Sequence, residues 1–211
     1  MDSVPEIFGP LLQGRHVVVL SKGSVTHTHI FVQKIYDYKI TRLTLVPSFL
    51  QALLTLMDVI MERDPKWAFL NSISLWVCSG ETFNYDLLKK FFTKFPSGKT
   101  MCNFYGSTEI MGDVTYETFS SMAEVDIKCI GERGPHVPLG KALYNTVIYI
   151  LTPTMELTPE GEIGEVCIAG YNLAKGYVGI KDSDKFIHNP YTKTHGKSAR
   201  ISKTSKNLKN G

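Results

Sequence analysis

Seven consecutive residues, Asn103-Phe104-Tyr105-Gly106-Ser107-Thr108-Glu109, bring together an amide, aromatic rings, a glycine, two hydroxyls and a carboxylate directly after an apolar run. Those are the parts of a nucleotide site. Tyr105 offers a ring face for stacking, and Asn103 can pair with a base edge. Ser107 and Thr108 can hydrogen-bond phosphate, and Glu109 can ligate Mg²⁺ through oxygen. On bare chemistry a polar surface loop is the alternative. A second stretch, Cys78-Ser79-Gly80-Glu81, also leaves an apolar run through small residues to a carboxylate. At the C-terminal end of a parallel strand, small residues let a ligand approach the backbone. An ordinary tight strand-to-helix turn has the same composition.

The elements that must position these residues alternate over the first 110 positions. Glu6 to Leu12 reads as the end of a helix stopped by Gly14, and Val17-Val18-Val19-Leu20 as a short buried strand. From a cap at Thr26, Ile30, Phe31, Ile35 and Tyr38 form a helical stripe. A strand is expected at Leu43 to Val46. Pro47 then suits the first turn of a helix with the stripe Leu50, Leu53, Leu54, Met57 and Met61. Ile73 to Cys78 reads as a strand, Asn84 as the cap of a helix carrying Leu87, Leu88, Phe91, Phe92 and Phe95, and Thr100 to Phe104 as a strand. Repeated strand–helix–strand units predict a parallel sheet covered on both faces.

After about residue 135 the pattern changes. Asn145 to Leu151 and Glu162 to Ala169 are strand-like runs separated by a Pro/Gly turn region, which predicts antiparallel β structure. The expected fold class is therefore α/β: a parallel sheet with covering helices followed by a β-rich subdomain over residues 1–190. Residues 191–211 show no apolar periodicity and read as a flexible basic tail.

Composition narrows the function classes. Of 211 residues, 43% are hydrophobic and 20% charged, an ordinary globular balance, and no apolar run reaches the length of a membrane span. Lys193 to Gly211 holds six of the 23 basic residues and none of the 20 acidic ones, so the formal charge of +3 belongs to the tail and the body is mildly acidic. A short Lys/Ser/Asn-rich tail reads as solvated chain, with a nucleic-acid arm as the minority alternative. Cys78, Cys102, Cys129 and Cys167 are spaced too irregularly for a zinc site. With an acidic N-terminus that lacks a basic leader pattern, they suggest a reducing, cytoplasmic setting. His27 and His29 flank a helix start with no third ligand nearby and read as surface residues, and His136 reads as loop.

Residues 103–109 resemble the Asn-x-Tyr-Gly-x-Thr-Glu signature of the adenylate-forming (AMP-binding) superfamily, specifically the adenylation domains of nonribosomal peptide synthetases. Gly161-Glu162-Ile163-Gly164-Glu165-Val166 through Ala174-Lys175-Gly176-Tyr177 resembles a second signature of that family, and Phe186-Ile187-His188-Asn189-Pro190 the motif that follows it. Glu6 to Leu12, Trp76 to Glu81, Gly106 to Tyr116 and Asn145 to Tyr149 are similar to the Ebony-type β-alanyl amine synthases of arthropods. Such enzymes activate β-alanine with ATP, load it on the phosphopantetheine thiol of a carrier domain and transfer it to an amine.

Carried over by position, the resemblance places adenine against Ser79, Gly80, Glu81, Asn103 and Tyr105, with Gly106 and Ser107 completing the nucleotide loop. Thr108 would contact the α-phosphate and Glu109 would hold Mg²⁺. The amino-acid pocket would involve Asp2, Thr44, Trp76, Cys78, Phe104, Gly112 and Asp113. Asp2 matches the ammonium-binding aspartate of the family. Asp113, with or instead of it, can pair the ammonium of a β-amino acid, since a buried ammonium requires a carboxylate partner.

The resemblance also implies a phosphate loop, a C-terminal subdomain with a catalytic lysine and a carrier domain, none of which has a counterpart in these 211 residues. Where relatives continue with a Thr-Gly-Asp turn, this sequence has Thr204-Ser205-Lys206. The isolated chain is therefore expected to be catalytically incompetent. The alternatives are a degenerate nucleotide- or partner-binding module and a fragment of an acyl-CoA ligase, the latter disfavoured by two pocket carboxylates.

Overall fold

A computed structural model describes residues 3–60, 70–131, 134–180, 184–192 and 200–209. Asp2 and Met61, both singled out from sequence, lie outside the described residues, as do residues 193–199 of the tail. The chain forms two compact units, one built from Asp2–Phe104 and Tyr116–Gly140, the other from Tyr105–Thr115 and Lys141–Gly211.

In the first unit, α1 (Ser3–Leu12) ends where Gly14 adopts φ 65°, a left-handed conformation that glycine takes without a Cβ penalty. The apolar run that follows is not a strand. Residues 17–20 are irregular and Val19 is 84% exposed. No strand among the described residues pairs with the run, so its β propensity has nothing to act through. Ser21 instead caps a one-turn helix, α2 (Lys22–Thr26), which is followed by α3 (Thr28–Asp37). His27, not Thr26, occupies the cap position of α3, and His27 and His29 are both exposed.

The parallel layer forms as expected. Strands β1 (Arg42–Leu45) and β2 (Leu75–Cys78) are parallel, with Leu45 opposite Cys78, and β2 pairs in parallel with β3 (Thr100–Ser107), with Cys78 opposite Asn103. The connecting helices are α4 (Pro47–Ile60) and α5 (Tyr85–Lys94). Pro47 starts α4, and Leu50, Leu53, Leu54 and Met57 are buried along its inner face. Asn84 caps α5, its Oδ1 accepting from the Leu87 N–H at 2.8 Å. Leu88, Phe91 and Phe92 of α5 pack into the same core as the Trp76 ring, each fully buried side chain contributing roughly 1.5–3 kcal/mol.

Strand β3 runs three residues beyond the expected Phe104. Asn103–Ser107 are strand, not loop, because β4 (Gly112–Phe119) lies hydrogen-bonded beside β3. Helix α6 (Met122–Cys129) and the short strands β5 (Ile130–Gly131) and β6 (Gly134–Pro135) complete this unit. His136 follows β6 in a loop, as expected.

The second unit contains β7 (Lys141–Ala142), β8 (Thr146–Leu151), β9 (Ile163–Gly170), β10 (Phe186–His188) and β11 (Arg200–Lys209). The last four form an antiparallel sheet in the order β10-β11-β9-β8. Tyr149, Leu151, Cys167, Ala169 and Ile201 pack on one face, and Val166 and Ile168 pack with Ile110 and Val114 on the other. Burial on both faces explains the unbroken apolar run of β9. The strand β11 lies in the stretch read as a featureless tail. Its sequence is polar because its pairing uses backbone groups, while Ile201 and Ser202 are buried. Among the described residues no helix is long and apolar enough to cross a membrane.

Candidate functional site

The parallel sheet of the first unit collects several of the singled-out residues at its C-terminal strand ends. Thr44 lies one residue before the end of β1, Cys78 ends β2, Ser79-Gly80-Glu81 follow it, and Asn103 stands opposite Cys78 on β3. This edge is where open parallel sheets bind ligands. Gly80 has φ 86°, a conformation that gives the loop its turn.

Several of these side chains are already engaged. Helix α4 is preceded by Val46, which cannot cap it, so the Glu81 carboxylate does so from 33 residues away. Its Oε2 accepts from the Ser48 N–H and its Oε1 from the Ser48 hydroxyl, each at 2.9 Å. The charge also meets the positive end of the helix. Asn103 is 5% exposed, and its Nδ2 donates to the Pro138 carbonyl at 2.9 Å, tying down the segment before Gly140. Phe104 stacks on Tyr116 with ring centroids 5.9 Å apart.

Trp76 and Cys78 face the core. The Trp76 indole is fully buried against Phe91, 5.4 Å between centroids, and against Phe95. Among the described residues its Nε1 has no hydrogen-bond partner, an unusual state for a buried donor. Burial pushes the Cys78 thiol up to about 12, so it stays protonated and is no nucleophile.

In the second unit the loop residues gather around Glu109. Gly106 lies so close to β4 that a Cβ there would run into the Gly112 carbonyl. Ser107 begins a 3-10 turn (Thr108–Ile110), which Met111 closes in the left-handed region at φ 53° before Gly112 at φ 119°. The turn leaves the Thr108 side chain exposed and Glu109 half-buried. The Glu109 carboxyl is held below its ordinary pKa, first by the Tyr177 hydroxyl, then by the Ser107 hydroxyl and by its own backbone N–H. Tyr177 donates to Oε1 at 2.5 Å, and the Ala174 N–H donates to the Glu109 carbonyl at 2.8 Å. Tyr105 is half-buried, its hydroxyl pushed up chiefly by burial and in hydrogen-bonding contact with Thr204. Asp113 is half-buried on β4.

The first unit thus brings Thr44, Cys78, Ser79, Gly80, Glu81 and Asn103 to one sheet edge, and the second gathers Tyr105, Ser107, Glu109 and Thr204. Sequence reasoning gave no role to Tyr177, which lies 68 residues from its partner Glu109, nor to Ser48. Neither contact has a local signal. Chemically, Glu109 is an ionised oxygen donor. Among the described residues no three His, Cys, Asp or Glu cluster as a metal cage. A cation at Glu109 would therefore take most of its ligands from phosphate and water, the habit of Mg²⁺.

Comparison with known proteins bears on this arrangement. The profile of the family described as AMP-binding enzyme matches residues 2–178. The chain is 38% identical over 215 residues to the beta-alanyl-bioamine nonribosomal peptide synthetase ebony of Drosophila melanogaster, covering 100% of this chain and 23% of that protein. It is 31% identical over 191 residues to tyrocidine synthase 3 of Brevibacillus parabrevis, covering 90% of this chain and 3% of the other. It thus spans less than a quarter of either curated relative. Among solved structures, the NpsA N-terminal subdomain of Klebsiella oxytoca in complex with 3-hydroxybenzoyl-AMSN aligns with TM-score 0.72 at 21% identity, over 98% of this chain and 48% of that one. The nonribosomal peptide synthetase FmoA3 bound to alpha-methyl-L-serine-AMP aligns with TM-score 0.78 at 24% identity, over 98% and 22%. At those identities the structural likeness concerns the fold.

Proposed function

The chain belongs to the AMP-binding enzyme family, and from that premise we propose that it is the central part of an adenylation domain that activates β-alanine with ATP. The observation that carries the proposal is Glu109: an ionised carboxylate, fixed by Tyr177 and Ser107, one residue from the exposed Thr108 hydroxyl. The reaction is in-line attack of the amino-acid carboxylate on the α-phosphate, forming an aminoacyl-adenylate and releasing pyrophosphate. Positioning and charge neutralisation are what the protein supplies to such a step.

In this proposal Thr108 donates to the α-phosphate and Glu109 is the Mg²⁺ ligand; Mg²⁺ when bound neutralises charge on the phosphate oxygens. By the family resemblance Ser79, Gly80, Asn103 and Tyr105 are adenine-binding residues, with Gly106 and Ser107 following Tyr105 on β3. Because the Glu81 carboxylate is tied to Ser48, Glu81 contributes through its backbone.

The amino-acid pocket takes in Thr44, Trp76, Cys78, Phe104, Gly112 and Asp113, together with Asp2. In this reading Asp113 pairs the ammonium of a β-amino acid. The product would pass to the phosphopantetheine thiol of a carrier domain and then to an amine. Four buried free cysteines suit a cytoplasmic, reducing setting.

The test has two arms. The purified 211-residue chain should bind AMP weakly by calorimetry and give no β-alanine-dependent ATP–pyrophosphate exchange; exchange by this chain alone overturns its incompetence. A full-length relative carrying the change equivalent to Asp113→Ala should lose β-alanine-dependent exchange, and undiminished exchange removes Asp113 from the pocket.

A further inference from the structure

We propose that Tyr177 is a positioning residue for Glu109: its hydroxyl fixes one carboxylate oxygen so that the group is presented to the metal in a single orientation. The inference rests on Glu109 being the metal-facing carboxylate and adds to it a residue 68 positions away.

Two independent bonds join the same segment to the same glutamate. The Tyr177 hydroxyl donates to Oε1 at 2.5 Å, and three residues earlier the Ala174 N–H donates to the Glu109 carbonyl at 2.8 Å. The phenol is braced in turn by an edge-to-face contact with Phe186, centroids 5.7 Å apart. Phe186 carries the Arg200 guanidinium over its ring at 5.1 Å, and an Arg200 N–H donates to the Lys175 carbonyl at 3.0 Å. Glu109 is therefore held by a chain of packed side chains anchored on β10 and β11, beside a cleft of about 280 Å³ lined by Lys175, Tyr177, Phe186 and Arg200.

A glutamate on a surface turn has several open side-chain torsions, and ordering them at the moment of binding costs affinity. A charge-assisted hydrogen bond of this length orders the carboxylate beforehand. It also occupies part of Oε1; the Ser107 hydroxyl and the Glu109 N–H take further lone pairs of the carboxylate, and a cation would use those that remain. Hydroxyls and carbonyls that orient a metal-binding side chain are typically worth about 10–100-fold in metal affinity.

The experiment uses the 211-residue chain and Mn²⁺ together with ATP, which supplies the phosphate ligands, as the probe, read by paramagnetic broadening of backbone amides. Wild type, Glu109→Gln and Tyr177→Phe are compared. The phenylalanine keeps the ring on Phe186, and its amide spectrum away from the turn reports an intact fold. The expected result is broadening centred on residues 107–110 and 174–177 in the wild type. Glu109→Gln should abolish it, and Tyr177→Phe should weaken Mn²⁺ about tenfold or more. A purely structural role for Tyr177 would lower stability and leave Mn²⁺ affinity unchanged, and that outcome overturns the inference while sparing Glu109. Absence of broadening in the wild type, or undiminished binding in Glu109→Gln, overturns Glu109 as the ligand and the inference with it.

Discussion

Glu81 caps the N-terminus of α4 through Ser48, one carboxylate oxygen on the backbone N–H and the other on the hydroxyl, both at 2.9 Å. The loop leaving β2 is thereby pinned to the helix leaving β1. Two neighbouring strand ends at the C-terminal edge of the sheet share one fixed spacing, and the Glu81 carboxylate serves a helix terminus.

Glu81→Ala should destabilise the chain by about 0.5–2 kcal/mol, the usual cost of losing an N-cap. Urea titrations of Glu81→Ala, Ser48→Ala and the double variant check this. The two single losses should sum to more than the double loss, because both variants remove the Ser48 hydroxyl–Glu81 bond, while the bond from the residue 48 N–H is lost only with Glu81. Strict additivity would show that the hydroxyl–carboxylate bond contributes nothing.

Gly106→Ala should be far more damaging than its added methyl suggests. The new Cβ meets the Gly112 carbonyl, which is backbone and cannot turn aside as a side chain would. Overpacking costs typically about 1–3 kcal/mol even where neighbours can shift, so the loss here should reach at least the upper end. Thermal unfolding of the variant, with Gly98→Ala as a control at a glycine that meets nothing within 4 Å, separates the clash from backbone strain.

Stability should fall on the acid side through identifiable carboxylates. Asp58 is held below its ordinary pKa by Lys90 first and then Lys94, and Glu109 by Tyr177 first. A carboxyl with a lowered folded pKa adds stability that is present above its unfolded value and is lost as pH falls through the folded value. Asp58→Asn should therefore flatten the decline between roughly pH 5 and pH 3, windows set by ordinary carboxyl values near about 4. The change should be modest, because the Asp58 side chain is 39% exposed and water screens the pair. Urea midpoints at three pH values measure it, and an unchanged slope would count against the ion pairs.

The thiols should behave oppositely. All four cysteines are free and buried, with Cys78 pushed up to about 12 by burial and Cys129 and Cys167 to about 11, from an ordinary 9.0. Their contribution is intact below pH 9 and is lost as pH rises from about 9 toward 11–12, because only the unfolded chain can ionise them there. A disulfide reagent at pH 7.5 should titrate no thiol rapidly in the folded chain and four after unfolding. One fast thiol in the folded chain would contradict the burial.

What was legible in sequence was what is local. The Asn84 cap lies three residues from Leu87, Pro47 starts its own helix, and the two-faced apolar run of β9 sits a turn away from its partner β8. The misreadings have one cause, which is that strand formation depends on a neighbour. Val17 to Leu20 has strand composition but no partner strand among the described residues. Residues 200–209 lack the composition, yet β9 and β10 flank them. The site divides the same way. Asn103, Tyr105, Ser107, Thr108 and Glu109 are consecutive enough to announce themselves, whereas Ser48 and Tyr177 reach their partners across 33 and 68 residues that carry no mark of the contact.

The irregular pairing of β11 has a consequence for how this segment tolerates change in length. Lys203 stands opposite Cys167 and Asn207 opposite Glu165, so four steps along β11 match two along β9. The surplus is two residues, an even number, and the pairing resumes in phase on the far side. Thr204 marks the irregularity by donating its hydroxyl to the Val166 carbonyl at 2.9 Å. A two-residue deletion here could be drawn from the surplus and leave the backbone pairing in phase, whereas a one-residue change would shift the pairing register out of phase. The bulge is thus a reserve of length, and indels near residue 204 should be accepted in twos.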